Sequence, residues 1–196
     1  MTWNYDYQFE LTFSQYRNKS DLSSFKHQLH LRSKFDNDYD YQSDKFGFYK
    51  LNGTTGLYSN NDFDQYFYAN NLNVYFNKQF VEKIVRAFTV ATYSEYTYPG
   101  LSFAWEEENK TKTIELAAKD TESTKVLIVI GYSFPFFNRD IDKKIIGNMK
   151  NLKKVYFQAP DAEILKERFQ AIRDDIDDKS LVVKKDVNQF LIPNEL

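Results

Sequence analysis

The sequence predicts an α/β fold with a mainly parallel sheet flanked by helices, and three observations carry that expectation. Residues 126–130 are an uninterrupted run, Val-Leu-Ile-Val-Ile, the pattern of a strand covered on both faces. A polar turn from Gly131 to Asn138 follows and opens a helix over 138–149. A second strand at 155–158 and a second helix over 161–172 come next. Strand, helix, strand, helix at this spacing is a βαβ unit, which requires parallel strands. Strand 126–131 is therefore expected to be central and fully buried, with strand 153–158 parallel to it through a right-handed crossover.

The elements ahead of this unit follow in order. Phe9, Phe13 and Tyr16 recur at helical spacing within 5–16, and a second helix is expected from Ser20 as N-cap, through Ser24, to Leu31. Residues 36–44 read as an acidic, tyrosine-dotted loop. Residues 46–51 read as a strand closed by Asn52-Gly53, a dipeptide that favours a tight turn with positive φ. The stretch 59–73, biased toward Asn, Asp, Tyr and Phe, reads as an irregular insertion or lid. Over 77–93, Phe80, Ile84, Val85, Phe88 and Ala91 recur at helical intervals and predict an amphipathic helix facing the core. Pro99-Gly100 is expected to break the chain before a short strand at 101–105, and 111–120 reads as a further helix. One domain is expected over 1–173. A charged tail, with a small apolar run at 181–183, occupies 174–196.

Composition narrows the function classes. With 42% hydrophobic, 28% charged and 18% aromatic residues, the 196-residue chain belongs with soluble globular proteins. Its 26 basic and 28 acidic residues are well mixed, so nucleic acid and anionic membrane are not expected partners. Tyr66, Phe67, Tyr68 and Tyr75 could stack bases but lack accompanying Lys or Arg. No apolar run is long enough to span a bilayer, and the first residues show no secretory pattern, so a cytoplasmic location is expected. Cysteine is absent, which excludes disulfides and thiolate-held zinc. His27 and His30 could share one helix face, but without a suitably spaced carboxylate a solvated face is the better reading, and no metal is expected.

In an open parallel sheet, ligands sit beyond the carboxyl ends of the strands, so 131–138 is where a nucleotide would be met. Gly131 permits close backbone approach, and Ser133 offers a hydroxyl that both donates and accepts. Asn138 is placed as a helix N-cap, with Asp140 and Asp142 in the first turn at the positive end of the helix dipole. Two carboxylates there disfavour a phosphate, so ribose hydroxyls are the better ligand. The plain alternative is a well-capped strand-turn-helix with Phe134 and Phe136 packed in the core. Asn4 and Asp6 likewise suit an Asx-type turn and helix cap, and Asn52-Gly53 a structural turn. Lys50 and Arg139 can reach a phosphate but read better as surface salt-bridge partners.

Three motifs occur in order: Thr2-Trp3-Asn4-Tyr5-Asp6 with Glu10 following, Tyr49-Lys50-Leu51-Asn52-Gly53-Thr54, and Ile130-Gly131-Tyr132-Ser133-Phe134-Pro135. Together, over roughly residues 1–160, they resemble the sirtuin-like superfamily, especially its bacterial NAD-consuming branch found in anti-phage defence proteins. There a strand runs into a Thr-x-Asn-Tyr-Asp-like motif with a following Glu. A Lys-Leu-His-Gly-Ser-like turn and a Gly-Tyr-Ser-like strand end come later. The resemblance implies a Rossmann-like sheet and NAD as the cofactor. It implies catalytic positions at Asn4, Asp6 and Asn52, and cofactor contacts at Gly131, Tyr132, Ser133, Phe134 and Asn138.

Two departures matter. Asn52 stands where the family has its His, and an amide does not titrate, so the usual proton acceptor is replaced. No Gly-x-Gly cluster occurs in the chain, so the expected domain lacks the N-terminal Gly-rich βα unit that cradles dinucleotide phosphates. The chain then reads as the carboxyl portion of such a domain, inactive alone in NAD hydrolysis. Its expected partners are a nucleotide-like small molecule and either further copies of itself or the missing N-terminal half. The zinc ribbon of protein-deacylating sirtuins is also missing. The alternative is a non-catalytic interaction or scaffold module.

Overall fold

The computed structural model describes residues 1–17, 28, 30–33, 46–59, 78–106 and 112–194. They form a mixed α/β structure with small parallel and antiparallel sheets. The chain divides into two compact units, Met1–Thr113 and Ile114–Leu196.

In the first unit, helix α1 (Gln8–Arg17) starts where the Asp6 carboxylate accepts a hydrogen bond from the Gln8 N–H at 3.2 Å. Phe9 on α1 stacks on Phe48 with ring centroids 4.3 Å apart. Strands β1 (Leu31–Arg32) and β2 (Phe48–Tyr49) pair in parallel. On the other side of β2, Thr2 forms a parallel bridge with Lys50. The helix expected over 20–31 lies largely outside the described residues. At its end the expectation fails: Leu31 is in a strand and His30 has φ 43°. His30 therefore presents no helical face on which to stand beside His27, which is itself outside the described residues.

Strands β3 (Gly53–Ser59) and β4 (Thr97–Leu101) form an antiparallel pair. This corrects the expected break at Pro99-Gly100 and the expected strand at 101–105. Pro99 pairs with Leu57 at the end of a register shift, the kind of irregularity in which a strand tolerates proline. Helix α2 (Lys78–Tyr93) forms as its periodicity predicts. Val85 and Phe88, expected in the core, are instead more than half exposed. The loop at 36–44 and the proposed lid at 60–73 lie outside the described residues, as do the four aromatics considered for base stacking. Ser59 ends β3 rather than opening a lid. Helix α3 (Lys112–Asp120), which belongs from Ile114 onward to the second unit, buries Ile114, Ala117 and Ala118, an i, i+3, i+4 set on one face.

The second unit holds a three-stranded parallel sheet in the order β5 (Val126–Ile130), β6 (Lys154–Gln158), β7 (Leu181–Lys184). Helix α4 (Arg139–Gly147) connects β5 to β6, and α5 (Ala162–Gln170) follows β6. The βαβ unit and its parallel pairing stand as expected, with Val126 opposite Lys154 and Ile130 opposite Gln158. The expected central place of 126–131 does not. β5 is an edge strand of this sheet and only half-buried, while β6 is central, with Val155 to Gln158 fully buried. The displacement comes from the supposed tail. Residues 181–184 form β7 and pair with β6 on the side away from β5, which makes β6 the central strand and leaves β5 at the edge. Phe134, Phe157 and Phe169 meet edge to face, with centroids 5.3–6.5 Å apart, and form the aromatic heart of this unit. Among the described residues, no helix is long and apolar enough to cross a membrane.

Candidate functional site

The candidate residues fall into two groups, one in each unit. In the first, parallel pairing positions the motifs. The Thr2 N–H donates to Tyr49 O at 2.8 Å and the Leu51 N–H donates to Thr2 O at 3.0 Å. Because these segments run the same way, Asn4 and Asn52 both leave at the carboxyl end of the pair. Asn4 is exposed, and its N–H donates to Thr2 Oγ1 at 3.0 Å.

Asn52 is a different case. It is 8% exposed, and both ends of its amide are engaged. Nδ2 donates to Trp3 O at 2.8 Å, and Oδ1 accepts from the Ala104 N–H at 3.2 Å. Its own carbonyl accepts from the Ser102 N–H at 3.0 Å. Asn52 therefore ties the first residues to the segment after β4. It lies within a turn in which the Gly53 N–H donates to Lys50 O at 3.2 Å and Gly53 takes φ 70°, as the Asn-Gly dipeptide predicts.

Asp6 serves as the cap of α1, and its carbonyl accepts from Lys50 Nζ. Lys50, read as a surface cation, is buried. Its ammonium meets the Glu10 carboxylate at 2.5 Å and lies 4.7 Å from the centroid of the Tyr7 ring. The Tyr7 hydroxyl donates to Thr55 O. Lys50 is buried because the start of α1 lies over it, with Asp6, Tyr7 and Glu10 all meeting its ammonium.

In the second unit, Gly131 follows β5 with φ 63°, and its N–H donates to Gln158 O at 3.3 Å. A Cβ at Gly131 would meet nothing within 4 Å. Its positive φ is what calls for glycine here, and no protein atom crowds the position. Ser133 is exposed, and its carbonyl accepts from Arg168 Nη1 at 2.6 Å. Phe134 is buried at φ 48°, a left-handed conformation unusual for a bulky side chain. Phe136, which the plain strand-turn-helix alternative packs in the core, is 84% exposed. Arg139, by contrast, lies near the surface, where Nη2 donates to Ala171 O at 3.5 Å.

Asn138 precedes α4 but makes no side-chain cap. Its Nδ2 donates instead to the Tyr132 hydroxyl at 3.0 Å, and its buried Oδ1 has no hydrogen-bond partner. The Tyr132 hydroxyl in turn lies 3.0 and 2.9 Å from the two oxygens of the Asp142 carboxyl. Asp142 is buried, not an exposed first-turn carboxylate, and burial pushes its pKa up to about 7 against the opposing Tyr132 hydrogen bond. Burial, then the charge of Asp142, also holds the Tyr132 phenol well above its ordinary value. This Asn138–Tyr132–Asp142 network was not anticipated as a unit. Its signal is the i, i+4 placement of two polar residues on the apolar face formed by Ile141, Ile145 and Ile146.

Chemically, the first group offers an exposed amide at Asn4 beside a buried structural one at Asn52. The second offers an exposed hydroxyl at Ser133 and, separately, the buried Asn138–Tyr132–Asp142 network. The chain matches no family model, and neither a curated protein nor a solved structure matches it significantly.

Proposed function

We propose that this chain is a sirtuin-like nucleotide-binding module that binds an NAD-like dinucleotide weakly and does not hydrolyse it alone. The observation that carries this reading is the parallel Thr2–Lys50 bridge, which brings the Asn4 and Asn52 motifs to one strand end. Exposed Asn4 is placed to position a ribose hydroxyl or a water. Asn52 supports the inactive form of the reading, because its amide does not titrate and is held on both sides by backbone. Loss of a positioned acid or base costs about 10²–10⁴-fold in rate. Ser133, exposed after β5, offers the second unit a hydroxyl of its own for a nucleotide's ribose. A role beside the NAD-consuming proteins of anti-phage defence follows from the same resemblance.

The test is calorimetric titration of the full chain with NAD, together with chromatographic detection of nicotinamide release. Weak binding that Asn4→Ala diminishes, with no release, is the expected result. Absence of any binding, or rapid release by the unaltered chain, overturns it. A scaffold role is the second reading, favoured by Val81, Val85 and Phe88, which stand exposed at i, i+4 and i+7 on α2. Concentration-dependent sedimentation that Val85→Asp abolishes would support it.

A further inference from the structure

One buried polar residue whose side chain the candidate site does not use is Gln158. It ends the central strand β6, after three buried residues, Val155, Tyr156 and Phe157. A buried carboxamide needs partners, and it finds them in the last described segment of the chain. Nε2 donates to Asp186 O and to Gln189 O, each at 2.7 Å, and Oε1 accepts from the Leu191 N–H at 2.9 Å. One side chain thus holds both ends of residues 186–191.

Among the described residues, little else fastens this segment. Asp186, Val187, Asn188, Gln189 and Phe190 are exposed, Leu191 is half-buried and Ile192 is exposed, with Pro193 buried beyond them. Its shape is set internally: Asp186 Oδ1 accepts from the Asn188 N–H and from Asn188 Nδ2, both at 2.9 Å. A preshaped segment with few buried side chains and one anchor is the kind that opens locally at low cost. Its place is also particular. The carboxyl ends of parallel strands are where ligands enter, and the backbone carbonyl of Gln158 receives the Gly131 N–H at 3.3 Å. The segment therefore lies beside the strand end that carries Ser133.

We propose that residues 186–191 form a strap, latched by the Gln158 side chain, that closes the carboxyl end of the central strand and releases without unfolding the sheet. Release bares the Gln158 carboxamide at the ligand-entry end. The ligand used to probe that consequence, ADP-ribose, rests on the nucleotide reading above; the latch itself does not.

The test is hydrogen exchange on the full chain, comparing the unaltered protein with Gln158→Leu. Loss of the anchoring hydrogen bonds is expected to speed exchange at 186–191 by at least about tenfold. Exchange at 126–130 and 154–158 should stay unchanged. Leu191→Pro removes the N–H that Gln158 Oε1 accepts and leaves β6 intact, so it gives the same answer if Gln158→Leu does not fold. Unchanged exchange at 186–191 in both variants overturns the latch, and so does exchange that rises equally across the sheet. Tighter ADP-ribose binding by the released variant supports closure, whereas equal binding by both forms overturns it. If neither form binds while 186–191 is released, the nucleotide reading fails and the latch stands.

Discussion

The Lys50 ammonium meets the Glu10 carboxylate at 2.5 Å, with 1% and 2% of the two side chains exposed. The pair joins helix α1 to the end of β2, and so fixes the Asn4 motif against the Asn52 motif. Both charges have left water, and the attraction between them offsets that loss only while both are present. Glu10→Ala or Lys50→Met alone should therefore cost about 3–5 kcal/mol, because each leaves an uncompensated buried charge. The double change Glu10→Leu with Lys50→Met should recover most of the loss. Urea denaturation of the four proteins measures this. Single variants within about 0.5 kcal/mol of the parent, the range of ordinary surface substitutions, would mean that water reaches the pair.

Two glycines with similar backbone angles should respond differently to alanine. Gly53 (φ 70°) packs so closely that a Cβ would sit 2.2 Å from Gly100 O. Gly131 (φ 63°) has open space around the same position. At Gly131, alanine meets only the conformational penalty of the left-handed region, about 1–2 kcal/mol. At Gly53 the same penalty is joined by a backbone collision that has to push β3 and β4 apart. Gly53→Ala should thus lower the melting temperature well below that of Gly131→Ala. Equal melting temperatures would show that β4 yields freely.

These examples mark what could be read from residues alone. The βαβ unit was legible because periodicity changes sharply at Gly131 and again near 155. The Asn52-Gly53 turn was legible because its dipeptide chemistry is local. Strand order was not, since an aliphatic run such as 126–130 looks alike at a sheet's edge and at its centre. The place of β7 depends on pairing at long range, which a four-residue run in a charged segment does not announce. In the candidate site, the order of the motifs was visible, but the state of each side chain was not. Lys50 reads as a surface cation until its neighbours on both sides are known, and Asn52 reads as a site residue until Trp3 and Ala104 are found on its amide.

Asp142 should make stability depend on pH in the unusual direction. Its proton is held more tightly in the folded chain, with a pKa of about 7 against an ordinary 3.8, chiefly because burial disfavours the charge. Between those values the folded state binds the extra proton, so stability falls as pH rises, by at most about 1.4 kcal/mol per pH unit. The contribution is complete below pH 4 and lost above pH 7. Asp142→Asn should remove this slope, and the difference between the two proteins isolates it from the exposed carboxylates. Tyr132→Phe should extend the slope to higher pH without steepening it, since the Tyr132 hydroxyl is the group that favours the ionised form. Denaturation at pH 4, 5.5 and 7 decides the matter; parallel stability curves for the parent and Asp142→Asn would refute it.

Placing at position 52 the histidine of the sirtuin-like pattern that the sequence resembles should damage the fold without creating an enzyme. Asn52 satisfies Trp3 O with Nδ2 and the Ala104 N–H with Oδ1, in a pocket where it is 8% exposed. A neutral imidazole also offers one donor and one acceptor, but on opposite sides of a larger, rigid ring, so it cannot keep both contacts in place. Leaving one of these buried backbone groups unpaired costs about 1–3 kcal/mol. The imidazole would then be tied up or displaced, not poised for proton transfer. No Gly-x-Gly cluster in the 196 residues offers the dinucleotide phosphates a helix N-terminus. Asn52→His should accordingly melt earlier than the parent and release nicotinamide from NAD no faster. A stable Asn52→His protein that cleaves NAD, with cleavage abolished by Asn4→Ala, would show that the amide is a replaceable part of a working site and not a strut.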